Sequence, residues 1–153
     1  MPDSSLGISR VIFLDFDGVL HPADYLRFIE IDGELVFGSD ARFCWAGVLW
    51  GLIKDNDCGL VIHSSWRTSF ALSEIKEMFP PELARRIRGI TGGGARFRSI
   101  EAYVEAHRLR DYLILDDEPE EFPSNLKALV VCHPERGIDS PEVKERVVQF
   151  LSN

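Results

Sequence analysis

The stretch Val11-Ile12-Phe13-Leu14-Asp15-Phe16-Asp17-Gly18-Val19-Leu20-His21 constrains the fold of this chain more than any other. Its β-branched, aromatic and aliphatic residues read as a short buried strand that ends abruptly in two carboxylates one residue apart, followed by a glycine. Side chains alternate along a strand, but Asp15 and Asp17 stand where strand gives way to loop, so both can point into one mouth. Two like charges that close are costly to desolvate without a counter-ion. A hard divalent cation is the simplest remedy, and Mg2+ takes such oxygen ligands while keeping positions open for a phosphate. The plainer alternative is an acidic turn, since Asp and Gly are ordinary turn residues.

The same design returns far downstream. Tyr112-Leu113-Ile114-Leu115 runs into Asp116-Asp117, an apolar strand closing in a second pair of carboxylates. Alone, an Asp-Asp-Glu-Pro turn is a solvated loop; as the second acidic strand end in one chain it reads as part of a metal site. Between the two, Gly59-Leu60-Val61-Ile62-His63 forms a further buried strand that delivers Ser64-Ser65-Trp66-Arg67. The Ser-Ser pair is either a helix cap or a source of hydroxyls for a phosphoryl group. Arg67 is either a surface ion pair or a guanidinium that forks onto phosphate oxygens. Gly92-Gly93-Gly94, with Arg96 and Arg98 behind it at a helix start, is either a flexible linker or a loop whose amides approach an anion, and its place between two elements favours the anion. His63, inside its strand, reads as a packed side chain, whereas His21 lies nearer the mouth and can face a substrate.

The intervening segments alternate strands with helices. Phe28 to Phe37 alternates apolar and polar residues about Asp32-Gly33, a strong hairpin pattern, and it leaves the sheet just after the acidic loop, where it can overhang the mouth. Helical spacing follows in Phe43 to Asn56, through Ala46, Leu49, Trp50 and Ile53, and again at Ala71, Ile75, Met78 and Phe79 before Pro80-Pro81 stops the helix. Ile87 to Thr91 reads as a short edge strand, and Ile100, Tyr103, Val104 and His107 pattern a helix behind the arginines. Leu126 to Cys132 is a further buried strand, and Ser140-Pro141 opens a last helix with Val143, Val147, Phe150 and Leu151 on one face. Every residue with chemistry falls at the C-terminal end of a strand. That order is a doubly wound α/β sheet, in which ligands bind beyond those ends.

Together, Asp-Phe-Asp-Gly-Val-Leu-His, Ser-Ser-Trp-Arg and Leu-Asp-Asp resemble the motifs of the haloacid dehalogenase (HAD) superfamily. Their form is most similar to the small capless HAD domains that also occur in RNA-repair proteins. The resemblance implies a mainly parallel, Rossmann-like HAD sheet with a β-hairpin flap. Only a short segment separates Leu20 from the next helix, too little for a cap with its own core. It implies Asp15 as nucleophile and Asp17 as general acid/base. Ser64, with Ser65 as alternate, and Arg67 would hold the transferring phosphoryl group. The superfamily places a Lys, less often an Arg, before the last acidic motif; this chain has no Lys there, so Arg98 is the first substitute and Arg96 the next. Mg2+ would be held by Asp15, the Asp17 carbonyl and Asp116 or Asp117. The implied reaction is hydrolysis of a phosphomonoester through an aspartyl-phosphate, on a small phosphorylated molecule, a nucleotide or a nucleic-acid end. A non-catalytic phosphate-binding module and a phosphotransferase are the alternatives.

Composition narrows the rest. At 153 residues, 45% hydrophobic and 27% charged, the chain suits one HAD-like domain with an ordered core from about residue 10 to 151. The net charge of −8 excludes a basic face that coats nucleic acid, though not a local pocket for one phosphate. No apolar run is long enough to span a bilayer and residues 1–9 do not read as a signal peptide, so no membrane association and a cytoplasmic location are expected. Cys44, Cys58 and Cys132 lack paired or metal-type spacing and are expected to be free, mostly buried thiols.

Overall fold

The computed structural model describes residues 10–153, so the N-terminal segment Met1 to Ser9, expected to be loose, lies outside the described residues. In chain order the elements are β1 (Arg10–Leu14), β2 (Leu26–Ile31), β3 (Glu34–Asp40), α1 (Ala46–Ile53), β4 (Cys58–Ile62), α2 (Leu72–Met78), α3 (Pro81–Ala84), β5 (Ile87–Ile90), α4 (Arg96–His107), β6 (Asp111–Asp116), β7 (Leu129–Val131) and α5 (Pro141–Ser152). β1 is buried from Val11 to Leu14, and its alternating side chains feed two cores. Ile12 and Leu14 pack with Leu49 and Ile53 of α1, Ile75 of α2, Leu83 of α3 and Val143, Val147 and Leu151 of α5. Val11 and Phe13 join Val61, Ile114 and Phe122 beneath Ile100 of α4. Helices thus cover both faces, which is why the strand shows no polar alternation.

The five strands run parallel in the order β5-β4-β1-β6-β7. From β1 the chain steps outward through β4 to β5, then crosses back to β6 and β7 on the other side. The reversal lies between β1 and β6, the crevice where a doubly wound sheet binds its ligand. Leu14 pairs with Ile62 and with Leu115, so β1, β4 and β6 end level with one another. This is the expected α/β architecture, with no cap-like domain inserted.

The hairpin forms as expected: Asp32 and Gly33 take φ of 52° and 81°, the pair of positive values a two-residue type I′ turn requires. Phe28 faces Phe37 across it, and Ile29 faces Val36. Phe28, Ile29, Ile31, Leu35 and Phe37 are each half exposed or more. The hairpin is rooted at the crevice by the Ala41 amide, which donates to the Tyr25 carbonyl at 2.9 Å.

Three sequence boundaries change. The helical pattern of Phe43 to Asn56 yields a helix only over α1, because Phe43 has φ of 55° and turns the chain before the helix begins. Pro81, beyond the end of α2, opens α3, where its missing N–H costs nothing. The strand expected over Leu126 to Cys132 contracts to β7, since Leu126 to Leu129 forms a turn closed by the Leu129 amide on the Leu126 carbonyl at 3.2 Å.

The α1–β4 connection is held by Arg86. Its Nη1 donates to the carbonyls of Ile53 at 3.4 Å, Asn56 at 2.7 Å and Cys58 at 3.2 Å, and its Nη2 to Lys54 at 2.9 Å. The guanidinium also lies 5.3 Å from the Trp50 ring centroid. All three cysteines are free, Cys58 and Cys132 buried and Cys44 exposed. Among the described residues no helix is long and apolar enough to cross a membrane.

Candidate active site

β1 stops at Leu14 because the next residues coil back on themselves. The amides of Val19 and Leu20 both donate to the Phe16 carbonyl, at 3.0 and 2.9 Å, and the Gly18 amide donates to the His21 carbonyl at 2.9 Å. Gly18 has φ of 77°, and a Cβ there would lie 2.3 Å from Asp117 Oδ2, so only glycine allows the second acidic strand end to nest against the first. No described group donates to the Asp17 carbonyl, which is left free as an acceptor.

One carboxylate oxygen from each of Asp15, Asp116 and Asp117 falls within 4.8 Å of the others. Asp15 is 3% exposed and Asp116 fully buried. Burial raises the Asp15 carboxyl well above its ordinary range, the charge of Asp116 adds to the rise, and Arg96 and the Phe16 amide oppose it. Asp116 is pushed up to about 6 by burial, against the lowering effects of the Glu118 amide and Arg96. Burial also raises Asp117, which lies within hydrogen-bonding reach of Asp15. The cluster is therefore short of positive charge even with an arginine beside it.

That arginine is Arg96. Its Nη1 donates to both oxygens of Asp116 at 2.9 Å and lies 3.7 Å from Asp15 Oδ2, and its Nη2 lies 3.3 Å from Glu118 Oε2. Of the two arginines ranked from the sequence, Arg98 first and Arg96 second, the structure brings Arg96 to the carboxylates. Both residues stand in the first turn of α4, but two positions along a helix turn a side chain well away from its neighbour. Arg98 is exposed, makes no ion pair with a described residue and lines a cavity of about 460 Å³ with Gly92, Ala95 and Tyr103.

Ser64 is fully buried at the end of β4, and its Oγ accepts from the Trp66 amide at 3.1 Å, capping the short turn Ser65–Thr68. The cap reading thus holds, and the hydroxyl proton has no acceptor among the described residues. Ser65 is exposed and lines a cavity of about 400 Å³ with Tyr25, Arg42, Trp66 and Phe70. Arg67 forms no ion pair with a described residue: its Nη1 donates to the Ser64 carbonyl at 2.9 Å and its Nε to the Gly92 carbonyl at 3.2 Å. Burial and the charge of Arg96 lower its pKa, whereas Asp15 raises it, so Arg67 shares the electrostatic surroundings of the cluster.

His63 is packed, as expected. Its Nδ1 lies 3.1 Å from Thr91 Oγ1, and burial, with Arg67 and Arg96 nearby, lowers its pKa to about 3. His21 does not face a substrate, since its ring is fully buried; instead it lies 2.7 Å from Asp17. Two contributors escaped sequence reading, Glu118 as partner of Arg96 and Gly18 as the seat of Asp117. The first sat in plain view in Asp-Asp-Glu-Pro; the second needed the approach of a distant strand. A cavity of about 650 Å³ opens at the opposite end of the sheet, beside Asp111 and Arg146, and includes none of these carboxylates.

Carboxylates thus gather at two neighbouring strand ends with an arginine spanning them and a serine and an arginine at a third, and Asp15, Asp116 and Asp117 could hold a hard cation. A family model described as the HAD domain in Swiss Army Knife RNA repair proteins matches residues 11–143. No curated protein and no solved structure matches the chain.

Proposed function

The chain belongs to the family of HAD domains in Swiss Army Knife RNA repair proteins, and from that premise we propose that it is a phosphohydrolase acting on phosphomonoesters through an aspartyl-phosphate at Asp15. The observation that carries the reading is the convergence of Asp15, Asp116 and Asp117 within 4.8 Å at adjacent strand ends. Their hard oxygens, raised pKa values and shortfall of positive charge fit Mg2+, held by Asp15, the Asp17 carbonyl and Asp116 or Asp117. Such an ion would offset the charge of the phosphate.

The protein groups divide the remaining work. Asp15 attacks phosphorus, forming an oxygen–phosphorus bond as the bond to the leaving oxygen breaks. Asp17 delivers a proton to that oxygen and later takes one from the water that cleaves the aspartyl-phosphate. Ser64 and Arg67 hold the non-reacting oxygens, and Arg96 keeps the carboxylates in place against their repulsion. The substrate class we infer is a nucleotide or nucleic-acid end. An uncapped crevice admits a phosphate on a large body, and the net charge of −8 confines contact to a terminus.

Asp15→Asn tests the reaction. The folded variant should lose at least about a thousandfold in Mg2+-dependent turnover of an aryl phosphate. Retention of more than a tenth of wild-type turnover removes Asp15 as nucleophile. In the same assay, nucleotides and nucleic-acid ends should exceed sugar phosphates in kcat/KM at one salt concentration; equal values refute the substrate class alone.

A further inference from the structure

We propose that His21 is the positioning residue for Asp17, selecting which carboxylate oxygen carries the catalytic proton; the assignment rests on the phosphomonoester reading above. The His21 ring is fully buried, with the rings of Tyr25, Phe43 and Trp66 centred 4.4, 5.3 and 5.7 Å away. Its two nitrogens have different partners. The Phe43 amide donates to Nδ1 at 3.1 Å. An amide N–H can only donate, so Nδ1 offers its lone pair, and the proton of the neutral imidazole sits on Nε2. Nε2–H in turn donates to Asp17 Oδ1 at 2.7 Å. The backbone closes the same loop a second time, through the Gly18 amide on the His21 carbonyl at 2.9 Å.

This geometry divides the two oxygens of Asp17. Oδ1 is taken up by a donor, and a proton placed there would meet the Nε2–H. Oδ2 accepts no hydrogen bond from a described residue. The acid proton therefore resides on Oδ2. As Asp15 bonds to phosphorus, the electron pair of the breaking bond leaves with the ester oxygen, which takes the proton from Oδ2. In the second half, water gives a proton back to Oδ2 while its oxygen bonds to phosphorus and Asp15 departs as carboxylate. His21 keeps its own proton throughout. Its ring is closed to solvent, and a second proton on Nδ1 would oppose the Phe43 amide.

Phe43 stands where the hairpin returns to the fold and holds φ of 55°. The flap's return thus reaches Asp17 through one imidazole.

The test compares two esters, 4-nitrophenyl phosphate, whose leaving group departs with little help, and 2-phenylethyl phosphate, whose alkoxide needs the proton. His21→Phe keeps a ring in place but offers no N–H, and it should lower kcat at least about thirtyfold more on the alkyl ester than on the aryl ester, with KM little changed. His21→Gln still presents an N–H and should recover part of that difference. An equal loss on both esters, or none, overturns the proposal in favour of a packing role. Should His21→Phe fail to fold, the wild-type protein decides: long-range proton–nitrogen NMR should show His21 protonated at Nε2 and bare at Nδ1, and the opposite tautomer overturns the assignment. Absence of Mg2+-dependent turnover on both esters in the wild type would sink the phosphatase reading and the catalytic role of Asp17 with it. The NMR tautomer would still decide whether His21 holds that carboxylate.

Discussion

Replacing Asp116 with Asn isolates the electrostatic burden of the acidic cluster. In the folded protein burial raises the Asp116 carboxyl from its ordinary 3.8 to about 6. A group with a raised folded pKa holds its proton more tightly in the native state, so its contribution to stability is full below 3.8 and is lost as pH rises through about 6. That rise corresponds to about 3 kcal/mol. An asparagine does not titrate. Its weakened contact with Arg96 changes stability by an amount constant over this range, which cancels when the two proteins are compared across pH. Urea unfolding in EDTA should therefore show the wild type losing about 2 kcal/mol relative to Asp116→Asn between pH 4 and pH 7, and relief of Asp15, which the Asp116 charge also raises, adds to the difference. Saturating Mg2+ should flatten the wild-type loss and stabilise the variant less. Unfolding free energies that run parallel to within about 1 kcal/mol across that range in EDTA would show that burial places no such load on Asp116.

Arg96→Ala should lower kcat/KM on a small phosphomonoester by about a hundredfold or more, whereas Arg98→Ala should stay within about threefold; the reverse pattern, in parallel assays, would move the electrostatic role to Arg98. Gly18→Ala puts a methyl group where Asp117 Oδ2 lies and strains a φ of 77°. It should cost about 1–3 kcal/mol in urea unfolding and abolish the Mg2+-induced rise in melting temperature. An undiminished rise would separate Asp117 from the cation site.

What the sequence disclosed was what local chemistry decides. A strand buried on both faces is apolar throughout, and its last residues face the crevice whatever else the chain does, so β1, β4 and β6 and their acidic or serine ends were readable. Asp32-Gly33 specified its turn because few residue pairs tolerate two positive φ values. The ranking of Arg98 ahead of Arg96 had no such footing, because the choice depends on how the first turn of α4 is rotated against Asp116, a contact across twenty residues. The partner of His21 was hidden for a similar reason. An amide at Phe43 decides its tautomer, and amides carry no signature in sequence. Helix α1 began late because a left-handed residue interrupted a sound periodicity, which periodicity does not detect.

Arg86 draws its carbonyl partners from residues 28 to 33 positions earlier in the chain. During synthesis the connection between α1 and β4 leaves the ribosome without the guanidinium, its Ile53 and Asn56 carbonyls answered only by the nearby Asn56 and Cys58 amides. It waits there until the arginine emerges, after α3 and just ahead of β5. A nascent chain paused before that point already owns its first acidic strand end but lacks the clasp that seats the neighbouring strand's entry. The entry to β4 is thus completed by a later side chain, and that connection lacks its clasp between the translation of Cys58 and that of Arg86.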